Sequence, residues 1–190
     1  EKVDYVFTTV HISSYVPVPI LEIGSFLQDN DIDRVRKLFA RESKDFLQKY
    51  FKKELFFTDV EGKTKDEVLK NLCRKVEQEK GLPETFTASV LKREELTPTD
   101  YGNLVALPHP ERAFQERAFV AVAVLKEPIF WFRQKVQVVF LTAIGREEDE
   151  NLQQFYEATT DLILRPADVQ NLIRHPDYDR LIQLLRRAEE

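Results

Sequence analysis

The chain of 190 residues contains no methionine, one cysteine, three histidines and five glycines. A single cysteine excludes an internal disulfide framework and fits a reducing, cytoplasmic compartment. The scattered glycines leave no glycine-rich phosphate loop and no G-x-S-x-G elbow for a serine nucleophile. There is no H-E-x-x-H or C-x-x-C pattern, so the residues imply neither a metal nor another cofactor. No run approaches the roughly 18 apolar residues that a membrane span needs, and no signal peptide opens the chain. The net charge of −5 argues against broad binding to nucleic acid or anionic membranes. A chain of this length without methionine, even at position 1, reads as a piece of a longer protein. What is present is ordinary for a soluble globular chain, with 43% hydrophobic and 32% charged residues. The length fits one domain, or one domain and part of another.

The first 40 residues read as strand, strand, helix. Tyr5 to Val10 is rich in β-branched and aromatic residues. Val16 to Ile23 is a second apolar run, pushed to an edge or a late start by Pro17 and Pro19. A helix is expected from about Ile32, with Val35, Leu38 and Phe39 at helical spacing and N-cap side chains at 29–31. Residues 41–53 are charged and uninterrupted by Gly or Pro, and read as a helical connector. The remainder reads as one compact unit. A short strand is expected at Leu55 to Phe57. Thr64 and Glu67 have the spacing of a capping box before an apolar stripe of Val68, Leu69, Leu72, Cys73 and Val76. Gly81 is a helix stop, and Pro83 suits the first turn of a second helix to about Glu94. Strands are expected at 104–107, 119–125 and 136–144. The run Phe119 to Leu125 is apolar throughout, as in a strand covered on both faces. Helices are expected at 148–164, 167–174 and 178–188, separated by Pro166 and Pro176. The pattern predicts a layered α/β domain, a mixed sheet with helices on both faces.

Among the histidines, His11 reads as a strand-end residue and His175 as a capping residue in a turn. His109 differs. The apolar run Leu104 to Leu107 delivers it to a loop between Pro108 and Pro110, and each proline restricts the backbone there. An exposed, rigid imidazole is a candidate nucleophile, although a loop histidine without chemistry fits equally at this point. Arg93 offers a fixed cation with several donors for a phosphate, and Thr97 and Thr99 offer hydroxyls. Cys73 on its apolar stripe and Trp131 both read as packing residues.

Taken together, Arg93-Glu94-Glu95-Leu96-Thr97-Pro98-Thr99, Gly102 and Val105-Ala106-Leu107-Pro108-His109 resemble the mannitol/fructose-type EIIA domain of the bacterial phosphoenolpyruvate:sugar phosphotransferase system. Pro128 to Trp131, Val136 to Ala143 and Glu150-Asn151-Leu152 follow in the family's order, so the resemblance covers about residues 46–188. It implies the mannitol-type EIIA fold for residues 43–190, and His109 as the acceptor of a phosphoryl group from phospho-HPr. Arg93, Thr97, Thr99 and Asn151 would support the phosphate. The family's second histidine is replaced by Asn151, which can hydrogen-bond but cannot exchange a proton near neutral pH. His109 also precedes Pro110 where the family has glycine.

Residues 1–42 resemble the C-terminal part of a galactitol-type EIIB-like domain with its connector. That order of modules is typical of PRD-containing transcriptional regulators of the BglG-antiterminator/LicR type. The resemblance therefore implies a regulatory module whose partners are phospho-HPr, an EIIB domain and other domains of the same regulator. It implies no direct nucleic-acid contact by this segment, and it leaves a homodimer open. A working EIIA phosphocarrier for sugar uptake, and an interaction module without phosphotransfer, are the competing readings.

Overall fold

The computed structural model describes residues 5–12, 15–24, 31–32, 47–147 and 151–186. The chain divides into two compact units, Glu1–Lys44 and Asp45–Glu190.

In the first unit, β1 (Val6–Thr8) and β2 (Ile20–Glu22) pair in parallel, with Val6 opposite Ile20 and Thr8 opposite Glu22. Pro19 has no N–H to give, but its carbonyl accepts from the Val6 N–H at 3.0 Å. The expected helix lies mostly outside the described residues; of it, 31–32 are helical.

The second unit holds a five-stranded mixed sheet in the order β3-β6-β7-β5-β4. The strands are β3 (Phe51–Phe57), β4 (Asp100–Gly102), β5 (Val105–Ala106), β6 (Phe119–Phe130) and β7 (Lys135–Ala143). The pairs β3–β6 and β5–β7 are parallel, while β6–β7 and β4–β5 are antiparallel. They are accompanied by α1 (Lys65–Lys80), α2 (Thr85–Leu96), α3 (Leu152–Ile163), α4 (Pro166–Arg174) and α5 (Tyr178–Arg186). The α/β prediction with helices on both faces is met, because alternate residues of β6 enter different cores. Val120, Val122 and Val124 join Phe155, Leu162, Leu172 and Leu181 of the C-terminal helices. Ala121, Ala123 and Leu125 join Val68, Leu72, Phe86 and Val90 of α1 and α2. With both faces buried, period-2 alternation of polarity is lost, which is why this strand reads as a continuous apolar run.

The Thr64 cap forms, with the Glu67 carboxylate reaching back one residue beyond the N-cap. The Glu67 N–H donates to Thr64 Oγ1 at 3.3 Å, and Glu67 Oε2 accepts from the Lys63 N–H at 2.8 Å. Gly81 ends α1 in the left-handed region at φ 63°, with its N–H on the Glu77 carbonyl. Two expectations need correction. Residues 51–53 are strand, and the helical connector ends at residue 50. Lys52, Lys53 and Glu54 are exposed because β3 is an edge strand, where charged side chains face water. The strand β4 was not expected at all: three residues with a glycine carry no apolar signal. No helix among the described residues is long and apolar enough to cross a membrane.

Candidate functional site

His109 follows β5 at the end of the sheet where β7 finishes. Asn103 and Leu104 sit at positive φ, 49° and 64°, and form the tight turn from β4 into β5. The Asn103 amide donates to the Ile163 carbonyl at 2.9 Å and anchors that turn. Beyond β5 the backbone stays tied down. The Leu107 N–H donates to the Thr99 carbonyl at 3.1 Å, and the Pro108 carbonyl accepts from the Thr142 N–H at 3.0 Å. Pro108 and Pro110 are buried while His109 between them is half-exposed. Two residues on, the Glu111 N–H donates to Ser89 Oγ of α2 at 2.9 Å, and its carboxylate pairs with Lys92 at 3.0 Å. The loop is thus fixed on both sides of the imidazole.

The imidazole Nδ1 lies 3.3 Å from the Leu107 carbonyl. A carbonyl only accepts, so as a hydrogen bond this contact assigns the proton to Nδ1 in the neutral ring. In that tautomer the ring's lone pair is on Nε2.

Arg93 stands in the last turn of α2, next to the Lys92 that holds Glu111. Its Nη1 donates to the Thr97 carbonyl at 3.2 Å, and among the described residues no carboxylate pairs with it. Its remaining donors suit an anion. Thr97 is exposed and caps α2, its N–H on the Arg93 carbonyl at 3.2 Å. Thr99 is differently placed. Its hydroxyl donates to Glu94 Oε2 at 2.8 Å, which turns the proton inward. Asn151 is the N-cap residue of α3, and its carbonyl accepts from the Phe155 N–H at 3.0 Å. The structure brings Arg93, Thr97 and Thr99 together at the end of α2, and ties Thr99 to the His109 loop through Leu107. Residues 148–150, which lead into Asn151, lie outside the described residues.

Glu94 was missed. It is 1% exposed and accepts from the Thr99 N–H at 2.8 Å, the Thr99 hydroxyl and Trp131 Nε1 at 2.7 Å. The signal was available: Phe86, Val90 and Glu94 repeat every fourth residue on the buried face of α2. Trp131 is buried as expected, and its indole N–H ties the β6–β7 turn to this carboxylate. Asp100 was also missed; Oδ2 accepts from the Arg133 and Gln134 N–H groups at 2.6 and 2.7 Å in the same turn.

The other nucleophile candidates fall away. Burial pushes the Cys73 thiol up to about 12, leaving almost no thiolate near neutral pH. His11 pairs with Glu22, and His175 caps α4 with its N–H on the Asn171 carbonyl. A groove of about 490 Å³, lined by residues 60–63 and 125–130, lies at the opposite end of β6 and contains no histidine or cysteine. Chemistry, not cavity size, therefore makes His109 the candidate.

A half-exposed imidazole in a loop tied down on both sides thus sits at the end of a doubly covered mixed sheet. The chain belongs to the family "Phosphoenolpyruvate-dependent sugar phosphotransferase system, EIIA 2", whose model matches residues 49–188. It is 34% identical over 181 residues to a protein of Bacillus subtilis (strain 168) named "Probable licABCH operon regulator", covering 95% of this chain and 28% of that protein. It is 24% identical over 182 residues to "Transcriptional regulator ManR" of the same organism, covering 92% and 28%. The chain thus spans under a third of the length of these curated relatives. Among solved structures, the complex of enzyme IIA mannitol with phosphorylated enzyme IIB mannitol from Escherichia coli matches with a TM-score of 0.58. That match covers 71% of this chain and 97% of the other at 19% identity, a likeness of fold. Domains of this fold thus meet EIIB partners in at least that complex.

Proposed function

We propose that this chain is a regulatory EIIA-like module of a sugar-responsive transcriptional regulator or antiterminator, controlled by phosphorylation of His109 from phospho-HPr. The observation that carries the chemistry is the 3.3 Å contact of Nδ1 with the Leu107 carbonyl, which leaves the Nε2 lone pair available. In the transfer, an Nε2–P bond forms as the donor's bond to phosphorus breaks, and the donor keeps that bond's electron pair. The Nδ1 proton stays in place, and the cationic ring offsets part of the phosphoryl charge. Such a transfer needs positioning and charge stabilisation more than bond-making help. Arg93 supplies the charge, with Thr97 and Asn151 as supporting donors and Thr99 as the anchor of Arg93's helix end.

The regulatory reading is supported by the likeness to two regulators over more than nine-tenths of this chain. On this reading residues 1–42 are the C-terminal part of an EIIB-like domain with its connector, and residues 43–190 are the EIIA-like domain. PRD and nucleic-acid-binding domains belong to the rest of the regulator, and the module acts in the cytoplasm. Asn151 favours a phosphorylation that serves as a signal, because it cannot exchange a proton as a second histidine would. Phosphorylation adds about −1.5 to −2 charge and changes the contacts that neighbouring domains or a second copy make with this surface.

The second reading, an EIIA phosphocarrier for sugar uptake, is favoured by the solved complex with a phosphorylated enzyme IIB. Incubation with enzyme I, HPr and labelled phosphoenolpyruvate, followed by a chase with a separate EIIB, tests both. Label that enters and stays supports the regulator. Label that leaves rapidly for EIIB supports the carrier, and no label defeats both.

A further inference from the structure

We propose that Glu94 is a positioning residue for His109, acting through Thr99 and Leu107. The inference rests on the reading of His109 as the phosphoryl acceptor.

A carboxylate that is 1% exposed is costly unless its oxygens are paired. Here three donors pair it: the Thr99 N–H, the Thr99 hydroxyl and the Trp131 indole N–H. Two of the three belong to one residue, so Thr99 is held by both its backbone and its side chain. Its carbonyl is thereby aimed at the Leu107 N–H, 3.1 Å away. The Leu107 carbonyl in turn faces His109 Nδ1 at 3.3 Å. The Thr142 N–H holds the next carbonyl, that of Pro108, so Leu107 is constrained from both sides. A continuous set of hydrogen bonds therefore runs from the buried carboxylate to the ring nitrogen whose proton sets the tautomer. Trp131 extends it to the β6–β7 turn.

A residue that only holds the fold together changes stability and leaves the imidazole alone. A positioning residue changes the tautomer. The substitution Glu94→Leu removes every acceptor at similar volume. Glu94→Gln keeps them: the amide oxygen accepts both N–H groups, and the amide nitrogen donates to a Thr99 hydroxyl that turns from donor to acceptor.

Nitrogen-15 NMR of the His109 ring in the 190-residue chain reads the tautomer. Phosphorylation by enzyme I, HPr and phosphoenolpyruvate across pH reads the consequence. The wild type and Glu94→Gln are expected to carry the proton on Nδ1. Glu94→Leu is expected to populate both tautomers, to shift the pH profile and to slow acceptance about tenfold, the scale on which loss of a histidine's outer hydrogen-bond partner acts at metal sites. If Glu94→Leu does not fold, Thr99→Val removes the hydroxyl link on the path to Leu107 and carries the same test. An unchanged tautomer and pH profile in folded Glu94→Leu, or in Thr99→Val, overturns the proposal. A shifted tautomer in a chain whose wild type accepts no phosphoryl group keeps the link and defeats the acceptor reading. Acceptance with an unmoved tautomer does the reverse.

Discussion

The two units of the chain differ in what they bury. Among the described residues of the first, Leu21 alone reaches the interior, at 9% exposure. The second carries a core on each face of its sheet, with Phe155 and Phe86 both essentially inaccessible. A parallel pair of short strands is a poor structure by itself, since parallel sheets are normally covered on both faces and two strands are marginal alone. The comparison separates a domain with two cores from a strand pair whose described residues bury little. It also fits the proposed site: a fixed imidazole needs a rigid frame behind it, and the second unit has one.

The largest expected contrast is between two phenylalanines. Phe155→Ala is expected to cost about 3–5 kcal/mol in thermal or denaturant unfolding. Phe7→Ala, at a position 43% exposed, is expected to stay within about 0.5 kcal/mol. Equal costs would break the distinction. Next comes Gly145, where an added Cβ would meet the Glu116 backbone. Gly145→Ala is expected to destabilise by about 1–3 kcal/mol, read as a lower midpoint in the second unit's transition. A chain of residues 45–190 is then expected to melt cooperatively, its midpoint within about 3 °C of the full chain, or roughly 1 kcal/mol. Cys73 sharpens the picture of the core: a thiol reagent should leave it untouched in the native state and modify it at once in denaturant. The smallest effect concerns Asp59, whose pKa is held down first by its hydrogen bond from Lys75. A depressed carboxylate stabilises above its unfolded pKa, and that contribution is lost as pH falls through the folded value. For this exposed pair it is a few tenths of a kcal/mol, and Lys75→Ala is expected to remove it from acid titrations of stability.

Much of the fold was legible because burial leaves marks in composition. The apolar runs of β6 and β7, the capping box at Thr64 and the stop at Gly81 each follow from local chemistry. What was illegible depends on pairing. The strand β3 begins at Phe51 inside a charged stretch, since an edge strand tolerates Lys52, Lys53 and Glu54 on its surface. Around Gln137 the Leu104 carbonyl accepts from two successive N–H groups, those of Gln137 and Val138. That irregularity lets Val136 and Val139 share a core while Val138 joins the other, and no alternation pattern reveals it. At the candidate site, the two prolines singled out His109, and Arg93 and Thr97 meet each other at the end of α2. The inward bond of Thr99 and the acceptor role of Glu94 required coordinates, because a buried carboxylate and a solvated one share the same letter.

After incubation with phosphoenolpyruvate, enzyme I and HPr, phosphorus-31 and nitrogen-15 NMR of the intact chain should show a single phosphohistidine. It should sit at His109, with phosphorus on Nε2, and should be absent from His109→Gln. Phosphorus on Nδ1, on His11 or His175, or on no residue would contradict the reading of His109 as the acceptor through Nε2.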